Sequence, residues 1–274
     1  MQPVSSLYLK SRLVGTPIGD AAEAVRWHMS AFHRHKHPEL WELHLESRRV
    51  PDVLQRLLGP KSNAVDVGCH IGSFLSLLCK YAPAGRHIAF EASPTKSGWL
   101  RSRFPAVEVH ARAVADVAGT AMFQEDTARP GFSRLGNVAG EGRNLMEVPV
   151  CRLDDVLADR ADIALIKLDI EGAELSALRG ARNVISRSRP AIIFECGSKY
   201  FLDDEKLSSR DLYDFITGQL GYRVFGMADF LYGKGAMEFD EFRKYGIYPF
   251  RGFNFVALPA DAPDRGGAGA KDRA

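Results

Sequence analysis

The chain has only four cysteines, Cys69, Cys79, Cys151 and Cys196, scattered without a C-x-x-C pair. That scarcity argues against a disulfide framework or a structural zinc site and suits a reducing compartment. Long apolar runs are missing as well, since none approaches the roughly 18 residues a membrane span requires. Met1 to Gly15 holds no apolar stretch of the kind that drives secretion. Nor does one sign of charge dominate: 36 basic against 34 acidic side chains leave a formal net charge of +2. Such a balance demands neither a nucleic-acid partner nor an anionic membrane. The expectation is a cytoplasmic protein without a membrane span, and composition leaves its oligomeric state open. A length of 274 residues allows one α/β domain with additions, or two small domains.

What is present centres on Asn63 to Gly72, Asn-Ala-Val-Asp-Val-Gly-Cys-His-Ile-Gly. Ala64 to Val67 reads as a short buried strand carrying one carboxylate, Asp66. A turn at Gly68 follows, and a helical pattern runs on from Ser73 through Phe74, Leu75, Leu77 and Leu78. Gly68 and Gly72 permit unusual backbone angles and close approach, while the first helix amides stay free to donate. The spacing is D-x-G-x-x-x-G, which lacks the middle glycine of the dinucleotide fingerprint. An acid before the first glycine repels pyrophosphate and attracts an ammonium. That points to an amino-acid-bearing nucleoside such as S-adenosylmethionine.

Ahead of this loop, residues 1 to about 20 show no strong periodicity and read as a loosely attached lead-in. From Asp20 onward Ala21, Ala24, Val25, Met29 and Phe32 recur at helical steps. His28, His33, His35, His37 and His44 cluster here, but no carboxylate or cysteine falls at a recognised ligand spacing, so they read as a solvated surface. Leu40 to Leu58 continues as apolar helix faces until Gly59-Pro60. Residues 1–60 are therefore expected to form an N-terminal helical extension, leaning on the sheet edge or over the ligand cleft.

Beyond the loop, a second strand, His87 to Phe90, ends at Glu91. An acid at that strand tip can accept from both hydroxyls of a ribose held over the first loop. Further on, Ala113-Val-Ala-Asp116 leaves room for a flat base, with Asp116 able to accept from an exocyclic amine. Thr120 to Gln124 and Glu147 to Cys151 alternate as an antiparallel pair around a long loop holding Ser133, Arg134 and Arg143.

Ile163 to Glu174 is the other informative stretch. Lys167 interrupts an apolar strand, where an unpaired ammonium is costly. Period two puts it on the face of Asp169, so a carboxylate partner is expected. Asp169, Glu171 and Glu174 then crowd the strand tip and the next helix start. Later, Phe230 to Phe250 forms an aromatic excursion, part core and part lid over an acceptor pocket. From Ala260 the tail lacks large apolar residues and reads as disordered, leaving residues 61–259 as the folded domain.

These stretches resemble the FkbM family of S-adenosylmethionine-dependent methyltransferases. The likeness rests on Asp66 to Gly72, Phe90-Glu91, Leu153-Asp154-Asp155, Arg189-Pro190, Gly221-Tyr222 and above all Ile166-Lys-Leu-Asp-Ile-Glu-Gly-Ala-Glu174. The Lys-x-Asp-x-Glu-Gly-x-Glu string is quite specific, whereas many methyltransferases share the glycine loop. The resemblance implies an α/β fold of the class I methyltransferases: a Rossmann-like, doubly wound sheet of seven strands, one reversed near the edge. It also implies O-methylation of a hydroxyl on a small molecule, a natural product or a glycan sugar. Two positions depart from the family pattern: Cys69-His70 replaces a small residue and Asn, and Ala92 follows Glu91 where Pro is common.

The cofactor set is then Asp66, Gly68, Cys69, His70, Gly72, Glu91, Ala92, Asp116 and Asp169. Asp169, Glu171 and Glu174 form the catalytic set, with Glu171 or Glu174 as base, or as ligands with Asp169 to a divalent metal. Two other classes stay open: a nicotinamide-dependent oxidoreductase, disfavoured by Asp66, and a non-catalytic scaffold that keeps the cleft.

Overall fold

A computed structural model describes residues 6–126, 133–136, 143–197 and 208–263. The tail expected to be disordered lies mostly outside the described residues. Seven strands build the main sheet: β1 (Asn63–Val67), β2 (Ile88–Phe90), β3 (Glu108–His110), β8 (Ile163–Leu168), β9 (Ala191–Glu195), β10 (Tyr222–Gly226) and β11 (Asn254–Pro259). Their order is β3-β2-β1-β8-β9-β11-β10. All run parallel except β11, which is antiparallel to both neighbours. The chain winds outward from β1 to β3 and then restarts at β8 on the other side. That reversal opens a crevice beyond the carboxyl ends of β1 and β8, where doubly wound sheets take ligands.

Alternation along the strands divides the core. Val65, Val67, Ile166 and Leu168 face one side, packed by α7 (Leu153–Val156), α8 (Glu174–Arg179), α9 (Arg182–Ser188), α10 (Ser209–Asp214) and α12 (Phe239–Tyr245). Ala64 and Leu165 face the other, under α4 (Trp41–Leu57), α5 (Ser73–Tyr81), α6 (Pro94–Arg103) and α11 (Met227–Leu231). Both faces are covered, as a parallel sheet requires.

A second sheet of order β4-β7-β5-β6 joins β4 (Ala113–Val114), β5 (Gly119–Asp126), β6 (Arg134–Leu135) and β7 (Arg143–Cys151). The expected antiparallel pair is β5 with β7, and its register runs from Gly119 opposite Val150 to Asp126 opposite Arg143. It extends beyond the alternating stretch to Asp126 and Arg143, and Arg134–Leu135 of the presumed loop is strand β6.

The N-terminal region is helical from α1 (Ser6–Leu13) through α2 (Pro17–Met29) and α3 (Ala31–Lys36) to α4. This corrects the expected loose lead-in. Tyr8 packs edge-on against Trp99 at 5.4 Å between ring centroids, and Arg103 donates to the Val14 carbonyl at 2.9 Å. Thr16 accepts from the Gly19 amide at 3.1 Å, capping a helix that starts at Pro17 before any apolar period shows. Further along, α4 buries Val53, Leu54 and Leu57 against Leu75 and Leu78 of α5. Within the extension, α4 thus shares the core of the sheet, whereas α2 buries none of its residues. Among the described residues no helix is long and apolar enough to cross a membrane.

Candidate active site

The strand ends converge on one cleft. After β1 the backbone turns through Gly68 (φ +82°), His70 (φ +52°) and Gly72 (φ +88°). The amides of Gly68 and Cys69 donate to the Phe90 carbonyl at 2.9 and 3.3 Å, folding the loop onto the end of β2. A Cβ at Gly68 would stand 1.9 Å from the Asp169 carbonyl oxygen, and one at Gly72 would stand 2.6 Å from the Phe104 ring. Both glycines are therefore required by the left-handed backbone and by packing against the protein itself.

Lys167 is the pivot beneath the cleft. Its ammonium lies 3.3 Å from Asp66, 3.3 Å from Asp169 and 3.1 Å from the Gly68 carbonyl that accepts from it. Burial opposes the charge on Lys167, but Asp169 and Asp66 outweigh it and push its pKa up. The expected carboxylate partner exists, and there are two. Asp66 is fully buried, which raises its pKa, and its counter-charge is this lysine.

Asp169 keeps 39% of its side-chain surface open. It also hydrogen-bonds Glu195, at the tip of β9. Burial and the neighbouring Asp169 push Glu195 up to about 10, so at neutral pH it is protonated and donates to Asp169. Asp169 itself is held low: burial works the other way, but Lys167 and Glu195 prevail. Glu171, at φ +55°, completes a trio with Asp169 and Glu195 whose carboxylate oxygens lie within 4.8 Å of one another. Such an oxygen-only set suits a hard cation, and a cation bound there would displace the shared proton.

Glu91 ends β2 and is only 5% exposed. One of its oxygens accepts from the His70 amide at 2.8 Å and the other from the Ser93 amide at 2.9 Å. Burial raises its pKa, partly offset by Lys96. Beside it, burial and then Lys96 depress His70 to about 4, so the ring is neutral at physiological pH. His70 Nε2 is buried without a hydrogen-bond partner among the described residues.

A cavity of about 140 Å³ opens between these groups. Of the sequence-predicted site residues, Gly68, His70, Glu91, Ala92, Asp169 and Glu171 line it. Asp66, Cys69, Gly72, Asp116 and Glu174 stand outside its wall. The Cys69 thiol donates to the Asp66 carbonyl at 3.0 Å. Exposed Asp116 accepts from the Ser176 hydroxyl at 2.7 Å. Glu174 accepts from the amides of Ile170 and Gly172 at 2.9 and 3.0 Å, stapling the loop after β8. Of the predicted loop, Ser133 and Arg134 reach the cavity, and the Arg143 side chain lies outside the described residues.

Three further residues, Lys96, Arg112 and Glu195, belong to the site or its margin without having been singled out in the sequence. Glu195 had a usable signal, being a third acid at a strand tip after Glu91 and Asp169. Lys96 and Arg112 had none. The histidines of the extension make ring contacts, His33 with His37 at 5.0 Å and with His44 at 5.9 Å, and His37 pairs with Glu39 at 3.1 Å. The acid trio at the strand tips is the one group among the described residues with metal-ligand geometry.

The family described as the methyltransferase FkbM domain matches residues 66–224. Among solved structures, methyltransferase FkbM from Methylobacillus flagellatus KT is 20% identical with a TM-score of 0.44; the match covers 73% of this chain and 44% of that one. A TehB-like SAM-dependent methyltransferase from Corynebacterium glutamicum is 10% identical, with coverage of 83% and 97% and a TM-score of 0.43. Cofactor-bound Rv0187 from MTB is 12% identical, with coverage of 96% and 100% and a TM-score of 0.42. No curated protein matches. The chain thus spans less than half the length of the Methylobacillus structure, and assignment to a family rests on the matched domain.

Proposed function

The chain belongs to the FkbM methyltransferase family, and from that premise we propose that it is an S-adenosylmethionine-dependent O-methyltransferase. Its acceptor is a hydroxyl on a small molecule, a natural product or a glycan sugar. The observation that carries the reading is Glu91, a buried carboxylate at the tip of β2 on the cavity wall, tied to the glycine loop through the His70 amide. Each Glu91 oxygen accepts one main-chain N–H and retains a lone pair, so the pair of oxygens fits the two adjacent hydroxyls of a ribose. Phe90, Ala113, Val114, Phe123 and Leu135 give the same cavity an apolar slot suited to a flat base.

When bound, S-adenosylmethionine supplies a methyl carbon made electrophilic by a sulfonium. The chain's own residues do the rest. Asp169 presents a fixed negative charge to the cleft, oriented from below by Lys167 and from the side by protonated Glu195. A cationic ligand end is favoured there. Glu171 lines the cavity and takes the proton of the acceptor hydroxyl, since Glu174 has both oxygens engaged by main-chain amides. Its left-handed backbone is a strained conformation of the kind found at functional sites. Holding the acceptor oxygen in line supplies much of the remaining acceleration.

Calorimetric titration with S-adenosylhomocysteine tests the reading. The wild-type chain should bind in the micromolar range, and Glu91→Ala should weaken binding at least about tenfold, the loss expected for charge-assisted hydrogen bonds. Equal affinity in the two would remove Glu91 from the ribose site. No binding to folded wild-type protein would end the methyltransferase reading.

A further inference from the structure

The first helices of the chain carry an apolar surface that the sheet does not cover. None of the residues of α2 is buried. Its inner side is fixed near both ends. A Cβ at Gly19 would stand 2.1 Å from the Leu13 carbonyl oxygen, and the Trp27 ring lies under the Arg34 and Arg48 guanidinium groups at 3.5 and 4.5 Å. At about 100° per residue, Gly19 and Trp27 fall on one side of the helix. Ile18, Ala21, Ala22, Val25 and Met29 form a single stripe on the other.

Ile18, Val25 and Met29 of that stripe, with Phe32 three residues further on in α3, are between 57% and 80% exposed. An amphipathic helix normally turns such a face to the core, whereas here Trp27 occupies the inner side. α1 repeats the arrangement on a smaller scale: Ser11 is buried, while Leu9 and Leu13 point outward one turn apart. A helix of 13 residues is marginal in water by itself, so whatever covers the stripe also steadies α2.

Charge decides what that cover is. Residues 1–37 hold five of the 36 bases and two of the 34 acids, leaving 31 against 32 in the rest of the chain. The whole positive balance therefore sits in this segment. Arg34 is buried over Trp27, but Lys10, Arg12, Arg26 and Lys36 are exposed. Asp20 and Glu23 fall on the side of α2 away from the stripe, whereas Arg26 and His28 flank it. Lys36 lies over the Phe32 ring at 4.6 Å. A second copy would bring the same positive charge. It would also find too little area: 13 residues offer a face about 20 Å by 10 Å, on the order of 200 Å², against roughly 800 Å² per partner for a stable dimer. A bilayer surface takes up apolar side chains to a depth of about 5–10 Å, and its anionic headgroups attract the flanking bases. No described helix can span a membrane, so the geometry that fits is a helix lying in the surface plane.

We propose that α1 to α3 dock the protein on an anionic phospholipid surface, with Ile18, Val25, Met29 and Phe32 inserted and the exposed bases against the headgroups. Docking of this kind needs no ligand in the cleft and uses residues ahead of the stretch that matches the family. The turn between α1 and α2 rests on α5, where a Cβ at Gly15 would stand 2.8 Å from the Ser76 Cβ. That contact ties the docking helices to the helix that follows the glycine loop.

Co-sedimentation of the full chain with vesicles tests the proposal. Vesicles of phosphatidylcholine alone are compared with vesicles holding about 30% phosphatidylserine, at about 0.1 M salt. The anionic vesicles should bind at least about tenfold more tightly, and raising the salt to about 0.5 M should weaken them. Val25→Asp combined with Met29→Asp should cost at least about tenfold in affinity, since two inserted apolar side chains are lost. Arg26→Ala should cost about fivefold, the share of one base near an anionic surface. All three positions are exposed, and unchanged far-ultraviolet dichroism would show that the variants fold. Light scattering on the same samples reads the oligomeric state. Equal affinity for neutral and anionic vesicles would overturn the proposal, and so would binding that the paired aspartates leave untouched. Absence of vesicle binding would overturn it too: a wild-type dimer that the aspartates split would assign the face to a second copy, and a monomer would leave it to a protein partner.

Discussion

Glu195 and Asp169 end adjacent parallel strands, and one proton between them replaces what would be two repelling charges. The folded chain therefore holds a proton on Glu195 that the unfolded chain releases above the ordinary value of 4.5. Unfolding gives up that proton anywhere between 4.5 and about 10, so the stability contributed by this group declines as pH rises through the window. Glu195→Gln keeps a donor to Asp169 and cannot titrate. Urea unfolding across that window should show the wild type losing stability relative to Glu195→Gln as pH increases. A pH-independent difference would mean that Glu195 is ionised in the folded protein. Asp169 was legible in the sequence because period two pairs it with Lys167. Its second partner, 26 positions later, was not, because side-by-side strand tips are a property of strand order.

At the scale of elements, the turn after β1 shows how a correct motif can serve a different purpose. D-x-G-x-x-x-G marks a strand, a left-handed turn and a helix, and β1, Gly68 and α5 follow that order. Asp66, however, faces Lys167 within the protein, and Gly68 makes room for the Asp169 carbonyl of the neighbouring β8 tip. Gly68→Ala must therefore shift that tip and adopt an unfavourable φ, at a cost of at least about 2 kcal/mol. A fall in the urea midpoint with an unchanged slope would report it. A loss below about 0.5 kcal/mol would show that the two loops relax apart freely. The loop between β8 and α8 is similar: Glu174 staples it through two amides, leaving Asp169 and Glu171 as the acids of that stretch that reach the cavity.

For the whole molecule, α4 and the sheet share one core. Leu54 of α4 is fully buried among residues of α5 and the sheet. Leu54→Ala should cost about 2–5 kcal/mol, the range for a buried leucine truncated without collapse of the site. The loss should appear in a single unfolding transition followed by both far-ultraviolet dichroism and tryptophan fluorescence. Two separated transitions, with only the first moved, would make residues 1–60 an independent unit. The sequence by itself determined β1, β2 and β8, the glycine turn, the acids Glu91 and Asp169 at the strand tips and the family, because each depends on residues close together in the chain. Only the tertiary structure decided which acids share a proton, which of them face a cavity, and that α4 docks against the start of β11. Those outcomes depend on strand order and helix docking, which join residues as far apart as Glu46 and Asn254.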